Sequence, residues 1–228
     1  MKKLSLTLAL ITTGFAASLP AQAESLSISG DVGVYSQYMW RGMQQTAGAS
    51  SVQGSLGTDI GGGLSTNVWF ASLAGPSTEF DFTIDYSGEL SGFSYSVGAI
   101  HYAYLNAAAG NATEAYIGAG FGPIAATYYY AFSGSWKKNA YLDIALSESL
   151  GGFDLGADFG IYLPSNTVAN PSSYPTTKSG LGHLDLSISK AVTMGDVSFT
   201  PSLMISTPQY SGKPKNANQF VAGMSFSY

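Results

Sequence analysis

The fold is decided by a stretch of strict alternation, Phe80-Asp-Phe-Thr-Ile-Asp-Tyr-Ser87. Apolar side chains occupy one set of alternate positions, and polar side chains occupy the other. Because successive side chains of a β-strand point to opposite faces, this pattern predicts a strand with one apolar face and one polar face. Carboxyl groups on one face and aromatic rings on the other indicate a sheet that separates a wet environment from an apolar one.

The same alternation recurs along the chain in segments of about ten residues, as in membrane barrels. Twelve strands are predicted, at about residues 25–41, 51–60, 64–73, 79–88, 92–105, 113–121, 123–132, 139–147, 153–162, 180–190, 197–206 and 218–228. In the fifth strand the phase changes near Gly98, which predicts a β-bulge there. An even number of strands is typical of single-chain bacterial barrels.

The predicted connections alternate between tight turns and longer loops. The tight turns follow the even-numbered strands, at 61–63, 89–92, 122–123, 148–152 and 193–196, and most are marked by glycine. The connections after the odd-numbered strands are mostly longer and polar, including 163–179 and 207–217. This asymmetry is typical of an outer-membrane barrel whose short turns and both termini are periplasmic.

The composition supports a membrane barrel. The chain has 28 glycines and 15 tyrosines, and only 10% of its residues are charged, which is low for a surface in water. Backbone polar groups cannot stay unpaired in hydrocarbon, so a sheet in a membrane must close on itself. The sequence therefore predicts an all-β fold, a closed antiparallel up-and-down transmembrane β-barrel of 12 strands.

The N-terminal segment predicts export. A basic head, Met1-Lys-Lys3, precedes an apolar stretch at 4–17 and a small-x-small site at Leu19-Pro-Ala-Gln-Ala23. This predicts a signal peptide at 1–23, cleaved after Ala23, followed by the barrel at 24–228. We expect Sec-type export to the cell outer membrane, where lipid contacts the barrel and the barrel-assembly machinery acts on the C-terminal strand.

Charge and cysteine content exclude several classes of function. Removal of Lys2 and Lys3 leaves seven basic residues against 14 acidic ones, an acidic balance that argues against nucleic acid. The chain has no cysteine, so it forms no disulfide and no thiolate metal site. His183 and Asp185 share a strand face, but two ligands without a third do not predict a metal site. No cofactor is predicted.

The polar faces of the predicted strands converge on the barrel interior. The predicted pore-lining residues are Asp31, Gln37, Arg41, Asp59, Asp81, Asp85, Glu114, Asp143, Asp158 and Asp185. One interpretation is a hydrated wall that keeps the interior polar, and the other is a field that favours cations. Twelve strands enclose roughly 20–24 Å between backbones, and inward tyrosines reduce that width, so the sequence predicts a narrow pore.

Arg41 is the only arginine in the chain, and its phase predicts an inward position near the extracellular rim. It is either a strut that pairs with a lumen carboxylate or a residue that narrows the pore and sets its selectivity. Aromatic rings are expected at the two membrane interfaces. The predicted interface aromatics are Tyr38, Trp40, Phe93, Tyr130, Phe132, Phe153, Phe226 and Tyr228.

The stretch Gly30-Asp-Val-Gly-Val-Tyr-Ser-Gln-Tyr-Met-Trp-Arg-Gly-Met-Gln-Gln-Thr46 carries a family resemblance. It resembles the opening strand of the TorF-type porin family of proteobacterial outer-membrane proteins, which has a pattern like G-x-V-x-x-x-S-x-Y-x-x-R-G-x-x-Q-T. The matching residues are Gly30, Val32, Ser36, Tyr38, Arg41, Gly42, Gln45 and Thr46. The resemblance implies an outer-membrane barrel with a porin-like role, and it brings no catalytic residues.

The function predicted from these observations is a porin-like channel for passive diffusion. Small hydrophilic solutes or ions would cross a narrow acidic lumen, with a preference for cations. Two alternatives stay open, a non-conducting structural or adhesin barrel and an outer-membrane lipid-modifying enzyme. An enzyme of that kind needs a serine beside a histidine base, and neither His101 nor His183 has that arrangement in the sequence, so no enzyme is predicted. The oligomeric state is also open, because lipid and a partner barrel select the same outward residues.

Overall fold

The computed structural model describes residues 27–165, 178–195, 197–209 and 218–227. The signal peptide predicted at 1–23 lies outside these ranges. The twelve long strands are β1 (Ser27–Tyr35), β2 (Ser51–Gly61), β3 (Leu64–Ser72), β4 (Thr78–Leu90), β5 (Phe93–Leu105), β6 (Ala112–Phe121), β7 (Ile124–Gly134), β8 (Ala140–Leu150), β9 (Phe153–Leu163), β10 (Gly180–Ser189), β11 (Val197–Pro208) and β12 (Gln219–Ser227). A short strand, Val192–Met194, pairs with the start of β11. No helix in the described part of the chain is long and apolar enough to span a membrane.

The sheet closes on itself. Each long strand pairs antiparallel with its neighbours along the chain, and β12 pairs with β1, where Phe226 lies opposite Val32. Closure gives every strand a partner on both sides, which leaves no open edge in the sheet. The predicted 12-strand up-and-down β-barrel is confirmed.

Alternation along the strands separates an apolar exterior from a more polar interior. In β4, Phe82 and Ile84 are about half exposed on the outer face, whereas Asp81, on the inner face, is buried. Most of the large hydrophobic side chains on the outer face are exposed in the same way. A sheet of this kind is stable only where hydrocarbon covers the outer face, because so much exposed apolar surface is unfavourable in water.

The tight turns lie at one end of the barrel. Between β8 and β9, Gly151 and Gly152 have φ values of +62° and +79°, the conformation of a two-residue hairpin turn that favours glycine. The connections at the other end include residues 36–50, 106–111 and 135–139, which are longer. The predicted alternation of short turns and longer loops is therefore observed within the described residues.

The bulge predicted near Gly98 is absent. β5 keeps an unbroken register with both neighbours, and Gly98 lies opposite Asp85 on β4 and Tyr116 on β6. The apparent change of phase arises because β5 places Ile100 and Tyr102 inside the barrel, where they are buried. Gly98 leaves space for the Tyr116 phenol, which donates a hydrogen bond to Asp85 at 2.6 Å.

The first strand is shorter than predicted. β1 ends at Tyr35, and the chain then folds into the barrel as a small hairpin in which Met39–Trp40 pairs with Met43–Gln44. We call residues 36–46 the inner hairpin. Its turn consists of Arg41 and Gly42, with φ values of +48° and +73°. Two consecutive positive φ values form the tight turn whose twist suits a two-stranded hairpin.

We predict that Gly98→Ala lowers the free energy of unfolding by about 1–3 kcal/mol, as overpacking of a well-filled interior does. A Cβ atom at Gly98 would lie 2.5 Å from the Ile84 carbonyl oxygen and from Tyr116 Cζ. Urea-induced unfolding of the refolded protein in micelles measures the change. Gly57→Ala is the matched control, because a Cβ atom there comes no closer than 3.3 Å to Asn67 Oδ1. Equal losses in both variants would contradict the prediction.

Candidate functional site

Arg41, at the tip of the inner hairpin, binds Glu114 on β6 with two parallel hydrogen bonds. Nη1 donates to Oε1 at 3.0 Å, and Nη2 donates to Oε2 at 2.7 Å. The two side chains are only 7% and 1% exposed. Two charge-assisted bonds from a planar fork fix both orientation and distance, so the pair anchors the hairpin to the barrel wall.

The Glu114 carboxylate has further donors. The Tyr102 hydroxyl donates to Oε2 at 2.9 Å, and Trp136 Nε1 donates to Oε1 at 2.9 Å. A buried ion pair is tolerated only when its remaining hydrogen-bonding capacity is satisfied, as it is here. Burial lowers the pKa of Arg41, but the Glu114 carboxylate, together with Tyr102 and Tyr141, raises it by more, so the pKa lies well above its usual range. The guanidinium therefore stays charged.

Aromatic rings surround the Arg41 guanidinium. Its Cζ atom lies 4.6 Å from the ring centroid of Trp40, 4.8 Å from that of Tyr129 and 4.2 Å from that of Tyr141. These distances are within the range of cation–π attraction. The Tyr162 hydroxyl also donates a hydrogen bond to the Arg41 carbonyl oxygen. The tip of the hairpin is thus held by β6, β7, β8 and β9, which lie across the lumen from β1.

The base of the inner hairpin is bound to the strands beside it. Gln37 Nε2 donates to the Phe220 carbonyl oxygen on β12 at 2.9 Å. Within the hairpin, the Tyr38 amide donates to Thr46 Oγ1 at 3.2 Å. The hairpin is therefore fixed at its base and at its tip, and it spans the interior.

The prediction that Tyr38 and Trp40 lie at the membrane interface is wrong. Both rings are inside the barrel, 0% and 7% exposed, because the chain leaves the sheet after Tyr35 and its alternation no longer follows the barrel faces. The other described aromatics of that set point outward and are 41% to 56% exposed: Phe93, Tyr130, Phe132, Phe153 and Phe226. Their position at a lipid interface stays a prediction, and Tyr228 lies outside the described residues.

A cavity of about 90 Å³ lies between the inner hairpin and the barrel wall. We call it the acidic cavity. Its acidic residues are Asp81 on β4, Asp143 on β8, Asp158 on β9 and Asp185 on β10. Because β8, β9 and β10 are neighbours, three of these carboxyl groups form one side of the cavity.

The carboxyl groups of the acidic cavity are close to one another. Asp158 lies directly opposite Asp185 in the pairing of β9 and β10, and the Asp143 carboxyl group on β8 lies beside that of Asp158. His183 Nδ1 lies 3.2 Å from Asp185 Oδ1, without the alignment of a hydrogen bond. One oxygen each of Asp81, Asp158 and Asp185 has no hydrogen-bond partner among the described residues.

The predicted pore-lining residues fall into two groups, those that border the acidic cavity and those that lie away from it. Those that border the acidic cavity are Arg41, Asp81, Asp143, Asp158 and Asp185. Gln37 lies in the base of the hairpin and Glu114 is covered by Arg41. The remaining carboxylates accept local hydrogen bonds: Asp31 from Ser55, Asp59 from the Gly61 amide and Asp85 from Tyr116. Whether either group lines a conducting path stays a prediction.

The predicted pore-lining set does not include two inward side chains that complete the site. Tyr141 and His183 are both buried, and the Tyr141 hydroxyl lies 2.6 Å from His183 Nε2. Two glycines in the sequence are a signal for such inward rings. A Cβ atom at Gly160 would collide with His183 and Tyr141, and a Cβ atom at Gly182 would collide with Tyr162. A glycine in the interior of a strand marks the close approach of another group. Within the described residues, no set of three or more histidine or acidic side chains is arranged to hold a metal ion.

We predict that Arg41→Ala lowers the free energy of unfolding by about 3–5 kcal/mol, because it leaves the Glu114 charge buried and unpaired. Addition of Glu114→Gln to this variant should recover part of the loss. Urea-induced unfolding in micelles, followed by tryptophan fluorescence, measures both. Lys190→Ala is the control, since Lys190 Nζ lies 4.9 Å from the Phe153 ring centroid on an exposed surface. A loss in Arg41→Ala no larger than in the control would show that the pair does not hold the hairpin.

Two solved porins share the barrel fold at low sequence identity. The KdgM porin, solved in complex with disordered oligogalacturonate, is 9% identical, with a TM-score of 0.55 over 88% of this chain and 98% of that chain. The NanC porin is 11% identical, with a TM-score of 0.53 over 89% of this chain and 99% of that chain. These likenesses show the fold alone.

Three further comparisons concern a barrel enzyme, curated protein sequences and a family model. Outer membrane phospholipase A from Escherichia coli is 13% identical over 87% of this chain and 91% of that chain, but its TM-score of 0.48 supports no functional conclusion. No curated protein sequence matches the chain at a significant level. A family model described as "Bacterial protein of unknown function (Gcw_chp)" matches residues 20–220. The chain belongs to the Gcw_chp family of bacterial proteins.

Proposed function

We propose that the protein is an outer-membrane channel through which small hydrophilic solutes or ions diffuse, with a preference for cations. The acidic cavity carries this proposal, because its carboxyl groups outnumber the basic groups beside them. The resemblance to TorF-type porins and the porin fold support a channel in the cell outer membrane. Both termini would be periplasmic after Sec-type export, and the barrel-assembly machinery would engage the C-terminal strand.

The charge balance inside the barrel favours cations. Arg41 borders the cavity, and its positive charge is already balanced by the Glu114 carboxylate. The carboxyl groups of Asp81, Asp143, Asp158 and Asp185 have no such match from a lysine or arginine that borders the cavity. Acidic groups within low-dielectric walls raise the local concentration of cations and lower that of anions.

The same charge balance in the cavity favours a different class of solute from the one named with the KdgM porin. Oligogalacturonate, named with KdgM, is a chain of carboxylate-bearing sugars, and an acidic lumen repels it. The shared fold therefore supports diffusion through a barrel, while the side chains support a solute of opposite charge. This contrast depends on the cavity carboxyl groups rather than on the strand arrangement.

A second candidate function is a non-conducting structural barrel. It is favoured by the inner hairpin, which places buried rings such as Tyr38, Trp40 and Trp136 in the lumen. Such packing narrows any path to the space beside the hairpin. A lipid-modifying enzyme has less support, because His101 contacts Thr113 and His183 contacts Tyr141, with neither contact made to a serine.

We predict that the refolded protein conducts ions in a planar bilayer and that its reversal potential under a KCl gradient shows cation preference. Asp158→Asn together with Asp185→Asn should move the reversal potential toward zero, because half of the cavity carboxyl groups are removed. Asp154→Asn is the control on the same strand, since Asp154 accepts a hydrogen bond from Ser149 at the tight turn. Anion preference would overturn the selectivity, and absence of conductance would favour the structural barrel.

A further inference from the structure

We propose that the acidic cavity is a binding site for one small organic cation of the alkylammonium class. The proposal rests on the channel function and deepens it by naming a class of solute. It depends on three properties of the cavity: carboxyl groups without a free basic partner, buried acceptors without hydrogen-bond partners, and an apolar side that faces the acidic side.

The described lining residues supply no free lysine or arginine to pair with the carboxyl groups of the cavity. Asp158 and Asp185 are directly opposite in adjacent strands, a placement in which like charges destabilise a sheet. Asp143 is a third acidic residue on the same side of the cavity. Arg41 is engaged by Glu114, and His183 lies between Asp185 and the Tyr141 hydroxyl. A bound cation would offset this repulsion.

Buried acceptors are ready to bind a donor. Asp81 is only 4% exposed, borders the cavity from β4, and its Oδ1 atom has no hydrogen-bond partner among the described residues. Asp158 and Asp185 each present one further unpartnered oxygen from the other side. A buried acceptor without a donor is costly, and an ammonium group can donate a hydrogen bond to any such oxygen that it reaches. Such a group suits these oxygens.

The rest of the lining favours an organic cation over a compact metal ion. Met39 of the inner hairpin and Met204 of β11 border the cavity, together with the rings of Trp40 and Tyr102. Methionine and aromatic side chains bind hydrocarbon, and aromatic faces also attract ammonium groups. The described acidic groups do not converge as a metal site requires. A cavity of about 90 Å³ has room for a short alkyl chain.

The chain already uses this chemistry for its own cation beside the cavity. The Arg41 guanidinium is an organic cation held by one carboxylate and three aromatic rings. Trp40 and Tyr141 belong both to that arrangement and to the lining of the cavity. The proposed ligand would sit next to it, with Asp158 and Asp185 in place of Glu114.

Isothermal titration calorimetry of the refolded protein in micelles tests the proposal, with propylammonium chloride as the probe in a constant NaCl background. We expect propylammonium to bind at least about tenfold more tightly than propan-1-ol, which has the same chain without the charge. Asp158→Asn should weaken binding by about tenfold, whereas Asp154→Asn should leave it within about twofold. Both variants must keep the heat-dependent gel mobility of a folded barrel.

Three outcomes would overturn the proposal. They are equal binding of propan-1-ol and propylammonium, tighter binding of Mg²⁺ than of propylammonium, and no difference between Asp158→Asn and Asp154→Asn. The test does not require conduction. Binding without conductance would support the site and defeat the channel, and conductance without binding would support the channel and defeat the site.

Discussion

The interior of this barrel depends on the two hydrogen bonds between Arg41 and Glu114. They join a hairpin that enters from β1 to a strand on the far side of the lumen, and they neutralise the only arginine of the chain. Without them the hairpin would lose its anchor, and the Glu114 charge would be buried without a partner. The packing of aromatic rings around Arg41 depends on this pairing. The side of the acidic cavity that the inner hairpin forms depends on it as well.

The pairing also divides the acidic residues of the interior into two groups, one whose oxygens are hydrogen bonded and one with oxygens that lack partners. Glu114 is covered by Arg41, Tyr102 and Trp136, so it serves structure. The carboxyl groups of Asp158 and Asp185 are left beside an open space with unused acceptor oxygens. Because Arg41 pairs with Glu114, the acidic residues of the cavity remain available to bind a solute that enters it. Structural and functional carboxylates are told apart by their partners, since their positions on the strands are similar.

Local alternation was enough to predict the barrel but not its interior. Phe82 and Asp81 reveal their faces in the sequence, because a strand repeats every two residues. Tyr38 and Trp40 continue that rhythm although the chain has left the sheet, so periodicity misplaced them. Arg41 and Glu114 are 73 residues apart, and no local pattern encodes which of many inward acids is the partner. Only the curvature of the closed sheet brings them together.

Closure between β1 and β12 has a consequence for the order of assembly. The inner hairpin follows the first strand of the barrel, yet Gln37 at its base bonds to Phe220 on the last strand. This contact crosses the seam between β1 and β12, so it can form only after the last strand has joined the sheet. The base of the hairpin is therefore completed last, which ties the final structure of the lumen to the arrival of the C-terminal strand.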